Sequence, residues 1–130
     1  MKKLLFSSLL LLSSLASQAQ NEYTIEGDVK GVKDGTLVSL FLTDGRVGSV
    51  VASDTIRNGT FFFKRNAGES GMDQLSLMCR DTDFPPMSLD IYATPGAKIK
   101  VTGTNPLIYT WRVDSPVKEQ QEHNRFIEDS

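Results

Sequence analysis

Cysteine, histidine and tryptophan each occur once in the 130 residues, and each scarcity closes off chemistry. A single cysteine, Cys79, excludes an intramolecular disulfide and any Cys-x-x-Cys redox motif. A nucleophilic thiol needs an electropositive, partly exposed setting. Cys79 instead alternates with Leu75 and Leu77, which predicts a buried, inert side chain. His123 is the only imidazole for acid-base or metal chemistry. It stands among Glu119, Glu122 and Asn124 in a polar helical stretch, where a solvated helix face accounts for it. Asp81-Thr82-Asp83 opens like a calcium loop, but Phe84-Pro85-Pro86 follows where further oxygen ligands and a glycine belong. No pair of carboxylates is marked out for glycoside hydrolysis. Catalytic, cofactor-binding and metal-ligating residues are therefore expected to be none.

Long apolar runs are as scarce. The one present, Leu4–Leu15, follows Lys2-Lys3 and precedes Ala16-Ser17-Gln18-Ala19-Gln20, the three parts of a secretory signal. It falls short of the roughly 20 apolar residues of a membrane span. No cysteine is available there to carry a lipid anchor. Residues 1–19 are thus expected to be a signal peptide, cleaved to leave 111 residues (130 less 19), exported and most simply placed in the periplasm. One core without disulfides suits that length. Basic stripes are missing too: without Lys2 and Lys3, 12 basic residues face 16 acidic ones, a net charge of −4, and no basic run exceeds Lys64-Arg65. Nucleic acid is excluded as a partner on that count.

What the chain does have is β-pattern and turn chemistry. Ser53–Lys64 reads as a hairpin around Asn58-Gly59, a dipeptide suited to a type I′ turn because both central residues need φ > 0. Phe61, Phe62 and Phe63 in its second arm predict a strand covered on both faces. Tyr23–Lys30 alternates, and Thr36–Leu42 is expected to pair with it as a hairpin. Asp73–Arg80, Met87–Ala93, Lys98–Thr102 and Ile108–Val113 complete the series, the third and second last being joined by a Pro95-Gly96 type II turn. About eight short strands with this punctuation indicate an all-β chain, a mostly antiparallel β-sandwich or open barrel, over residues 20–114. Tyr109, Trp111 and Val113 are placed on one strand face, as core. Exposed on a sandwich face, Tyr92, Tyr109 and Trp111 would instead suit sugar rings.

Ser115-Pro116 reads as a helix start, serine as N-cap and proline at the first position, with the helix running to Asp129. Its apolar residues, Val117, Phe126 and Ile127, make no broad stripe. Residues 115–130 are therefore expected to be a connector helix toward a further domain, fraying beyond Gln120 in isolation. Val117, Phe126, Ile127 and Phe62 are the candidate partner surface. Asp54-Thr55-Ile56 matches a short acidic-hydroxyl-aliphatic pattern used for O-glycosylation of exported proteins, which makes Thr55 a candidate acceptor. Asn58-Gly59-Thr60 also fits an N-glycosylation sequon, although the turn accounts for it.

Four stretches together resemble a known family: Tyr23-Thr24-Ile25-Glu26-Gly27, Asp54-Thr55-Ile56 with Asn58-Gly59-Thr60-Phe61-Phe62-Phe63, Thr94-Pro95-Gly96-Ala97 through Gly103, and Ser115-Pro116 through Asn124. They are similar to a β-rich domain of unknown function that precedes thioredoxin-like domains in exported thiol-disulfide oxidoreductases of Gram-negative bacteria. The resemblance implies a non-catalytic accessory domain that positions a redox domain or offers a partner surface. The chain alone would then be no enzyme, and its partner would be a thioredoxin-like domain in the same polypeptide or another envelope protein. The family's catalytic cysteines have no counterpart here. The alternative is a free-standing exported module that binds glycan or a cell-envelope protein through exposed aromatics.

Overall fold

A computed structural model describes residues 21–43, 49–68, 71–80 and 88–129. The proposed signal peptide and the Asp81-Thr82-Asp83 segment lie outside them. Eight strands form two sheets of four, followed by one helix. The strands are β1 (Glu22–Val29), β2 (Leu37–Leu42), β3 (Ser49–Thr55), β4 (Thr60–Asn66), β5 (Asp73–Arg80), β6 (Leu89–Ala93), β7 (Lys98–Gly103) and β8 (Arg112–Asp114); α1 spans Lys118–Asp129. The first sheet has the order β4-β1-β7-β8 and the second β3-β2-β5-β6. Every pairing is antiparallel except β1 with β7. The architecture is a β-sandwich with two open-edged sheets.

Alternation builds the core. Tyr23, Ile25 and Val29 of β1 point inward with Phe61, Phe63, Ile99, Val101 and Val113 of the same sheet. Val38, Leu40, Leu75, Leu77, Cys79, Leu89, Ile91 and Ala93 do so from the second. Cross-strand pairing sets like against like, with Leu40 opposite Leu77 and Leu75 opposite Ile91, the arrangement in which apolar side chains on one face stabilise a sheet. The outward positions Glu26, Asp28, Lys98 and Lys100 are exposed. Cys79 is buried opposite Val38, as its alternation predicts.

Four connections, β1–β2, β3–β4, β4–β5 and β6–β7, join the two sheets, which corrects two pairings expected from adjacency in sequence. β1 and β2 lie in different sheets and form no hairpin. The arms flanking Asn58-Gly59 also part, β3 to an edge of the second sheet and β4 to an edge of the first, after a single bridge between Arg57 and Thr60. The turn itself is as the dipeptide predicts. Asn58 has φ 52° and Gly59 φ 74°, and Arg57 and Thr60 exchange both backbone hydrogen bonds, at 3.1 and 2.9 Å. Gly59 is further confined because a Cβ there would meet the Val29 carbonyl oxygen at 2.5 Å. Pro95-Gly96 is likewise a corner between sheets, with Gly96 at φ 81° and Ala97 N–H donating to the Thr94 carbonyl.

An edge position explains the next correction. Phe62 is 51% exposed, so β4 is covered on one face only. Ile108–Thr110 form a 3-10 turn, not the start of a strand, and this rotates Tyr109 out of the face shared by Trp111 and Val113.

Candidate functional site

The flank where β6 and β8, one edge strand from each sheet, are met by α1 is rich in polar side chains with defined partners. Edge strands present backbone N–H and C=O groups without a neighbouring strand. Here side-chain amides from the helix satisfy them. Gln120 is 1% exposed. Its Oε1 accepts the Tyr92 N–H at 2.8 Å, and its Nε2 donates to the Asp90 carbonyl at 3.3 Å and to Asn124 Oδ1 at 3.1 Å. One primary amide thus takes the place of a strand's peptide group against β6. Asn124 Nδ2 donates to the Val113 carbonyl of β8 at 2.8 Å, and Gln121 Nε2 to the Ser115 carbonyl at 3.1 Å. The His123 ring lies 5.6 Å from that of Tyr92, and its Nε2 lies 3.6 Å from Asp90 Oδ2.

These bonds correct the expectation that α1 has no face to pack. Val117, Gln120 and Asn124 share one helix face at spacings of three and four, and two of the three anchor through hydrogen bonds. A count of apolar residues misses them. The helix also begins later than Ser115-Pro116 suggests: Ser115 Oγ accepts the Val117 N–H at 3.0 Å, and the first helical turn closes from Gln121 N–H to the Val117 carbonyl. Val117 is 4% exposed and belongs to the core, not to a partner surface. Phe126 and Ile127, by contrast, are 75% and 53% exposed.

Between α1 and the β8 edge runs a cleft of about 680 Å³, lined by Asp90, Tyr109, Trp111, Arg112, His123 and Ile127 among others. Tyr109 is 54% exposed. The turn carrying it is tied down by Asn105, whose Oδ1 accepts from Leu107 N–H and whose backbone carbonyl accepts from Trp111 Nε1. Trp111 stacks on Phe61, ring centroids 6.4 Å apart, which fixes the turn against the core.

Comparisons of the chain with protein-family models, with curated proteins and with solved structures found no match. The site's chemistry therefore rests on its residues. Among the described residues, no group of three or more His, Cys, Asp or Glu side chains is arranged to hold a metal ion. No described helix is long and apolar enough to cross a membrane.

The other sequence candidates lie on the opposite flank. Phe62 belongs to β4, at the far edge of the first sheet from β8 and α1, so it shares no surface with Phe126 and Ile127. Thr55 is half-buried at the end of β3, in a shallow depression of about 460 Å³ with Asp54, Arg57 and Phe62. Asp54 clasps that corner, accepting the Thr55 N–H on Oδ1 at 2.8 Å and the Phe62 N–H on Oδ2 at 2.9 Å. That bond supplies a structural reason for the acidic residue of the Asp54-Thr55-Ile56 pattern. Sequence reasoning also missed a buried network between the sheets. Tyr23 Oη donates to Asp73 Oδ2 at 2.7 Å and accepts from Arg65 Nε at 3.1 Å, while Arg65 Nη1 donates to the Val51 carbonyl. Burial pushes the Tyr23 phenol well above its ordinary value, the hydrogen bond to the Asp73 carboxylate adds to this, and Arg65 opposes it.

Proposed function

We propose that this domain is the non-catalytic accessory part of an exported, periplasmic thioredoxin-like thiol-disulfide oxidoreductase, and that it docks its redox partner domain on the distal end of α1. The observation that carries this reading is the division of labour along the helix. Its inner face is held to both sheet edges by Gln120 and Asn124, while Phe126 and Ile127 stand 75% and 53% exposed on its last turns. Two neighbouring large apolar side chains on a rigidly held helix present area at little ordering cost, which is what a docking surface requires. The resemblance of the four sequence stretches supplies the kind of partner.

Reading the coding sequence past Ser130 tests the proposal. A frame continuing into a domain with Cys-x-x-Cys is expected, and a stop codon at that point would overturn it. In the continuous protein, Phe126→Ser should loosen the two domains, seen as faster amide exchange at their junction, with no loss of the sandwich's own protection.

A further inference from the structure

We propose that the cleft between α1 and the β8 edge is a binding site for a neutral oligosaccharide, with Tyr109 as the stacking platform. The site borders the docking surface, sharing Ile127 with it but not Phe126.

Large aromatic side chains outside a core are placed at a cost in exposed apolar area, and Tyr109 is 54% exposed. Its turn is not loose. Thr110 N–H and Oγ1 both donate to the Leu107 carbonyl, at 2.9 and 2.6 Å, Trp111 N–H donates to the Ile108 carbonyl, and the Asn105 bonds close the loop around them. The ring is therefore carried on a preorganised backbone and loses few degrees of freedom on binding. An aromatic face with a polar tip suits the C–H face of a pyranose and its neighbouring hydroxyls.

The remainder of the cleft selects among ligand classes. The apolar surface left to cover is mainly the Tyr109 ring and Ile127, because Leu89, Trp111 and Val113 are already buried in the core. Anions meet two carboxylates, Asp90 and Asp114, beside the single guanidinium of Arg112, so no cationic cradle for phosphate or sulfate forms. Carboxylate and guanidinium groups and the hydroxyls of Ser88 and Thr102 line the same cleft as the ring, and these are the donor and acceptor types that vicinal sugar hydroxyls take. The cleft is partly open to solvent, which admits a chain of sugars in place of a single enclosed residue.

Trp111 is the only tryptophan and lines the cleft, so its emission reports occupancy. The full chain would be titrated with chitotetraose, cellotetraose and a mannotetraose, following Trp111 fluorescence and the backbone amide shifts of Tyr109, Arg112 and His123. At least one sugar is expected to give a saturable response at millimolar concentration or below. Tyr109→Ala should weaken it by roughly tenfold and Tyr109→Phe should keep it; circular dichroism confirms that both variants fold. Phe126→Ser should leave the sugar response unchanged. No response to any of the three sugars would overturn the proposal, as would a response that Tyr109→Ala leaves intact.

Discussion

Gly27 and Gly103 are seats for aromatic rings. Gly27 pairs across the sheet with Phe61, whose ring lies over the position a Cβ would occupy, and the Trp111 ring lies likewise over Gly103. A glycine inside a strand weakens it by removing a side chain, and an aromatic ring laid over the gap restores the lost cover. Gly27→Val would drive Phe61 off its tilted contact with Phe63 and its stack on Trp111, and a loss of about 1–3 kcal/mol is expected from overpacking of this kind. Chemical denaturation checks it; a midpoint and slope like those of the wild type would show that the ring moves aside freely. The Tyr23 network gives a second expectation. The folded state holds the Tyr23 proton more tightly than the unfolded chain does. Its contribution to stability is therefore full below the ordinary tyrosine value of about 10 and is lost as pH rises above it. The alkaline fall in stability should be steeper in the wild type than in Tyr23→Phe. Parallel curves would mean that Tyr23 opens to solvent before it ionises. Removing the hydroxyl also takes one partner from the buried Asp73 carboxylate, leaving it the Gly68 N–H among the described residues, so Tyr23→Phe should already lose about 1–3 kcal/mol at neutral pH.

At the scale of elements, α1 shows hydrogen bonds replacing an apolar stripe. A 12-residue helix is marginal alone in water, and this one is held mainly through Gln120 and Asn124. Gln120→Ala would leave the Tyr92 N–H and the Asp90 carbonyl without that partner, at about 1–3 kcal/mol for buried groups. Amide protection should collapse along α1 and persist in β1 and β7. Gln120→Glu separates the two halves of the bond: a carboxylate still accepts from Tyr92 but repels the Asp90 carbonyl and Asn124 Oδ1, so partial loss is expected. Full protection in Gln120→Ala would mean that Val117 and Asn124 suffice to dock the helix. These elements also show what a sequence discloses. Tyr23–Val29 and Asp73–Cys79 are legible because one buried face writes a period of two into the chain, and Asn58-Gly59 because its turn needs two positive φ angles. Which strands pair is decided by contacts across the fold, so β1 with β2 and β3 with β4 were misread as hairpins. The site lay deeper still. Gln120 and Asn124 carry no apolar signal, and only their spacing of four, in phase with Val117, marks the inner face. Tyr109 reads as strand until the Asn105 bonds that curl its turn are known.

Across the whole molecule, the chain crosses between sheets at β1–β2, β3–β4, β4–β5 and β6–β7, so the four sheet edges fall into two pairs, one on each flank. The pair formed by β3 and β4 is tied together by its own chain. The Asn58-Gly59 turn joins the strands, the Asp54 carboxylate takes the Phe62 N–H, and Arg65 reaches the Val51 carbonyl. No covalent turn joins β6 to β8; α1 covers them, with Gln120 on one and Asn124 on the other. The helix therefore guards the sandwich against strand addition as well as carrying Phe126 and Ile127. Ending the chain after Val117 keeps that core residue and every strand but uncovers the Tyr92 N–H and the Asp90 and Val113 carbonyls along two edges. Exposed edges of this kind template pairing with another chain. The shortened chain should self-associate with rising concentration, read as an increase in mass by light scattering relative to the full chain. Lysine at position 92, placed on the uncovered β6 edge, should reduce the effect, because a charged side chain there opposes edge-to-edge pairing. Equal masses for the full and shortened chains at all concentrations would show that β6 and β8 are too short to template a neighbour, and that α1 serves the partner surface alone.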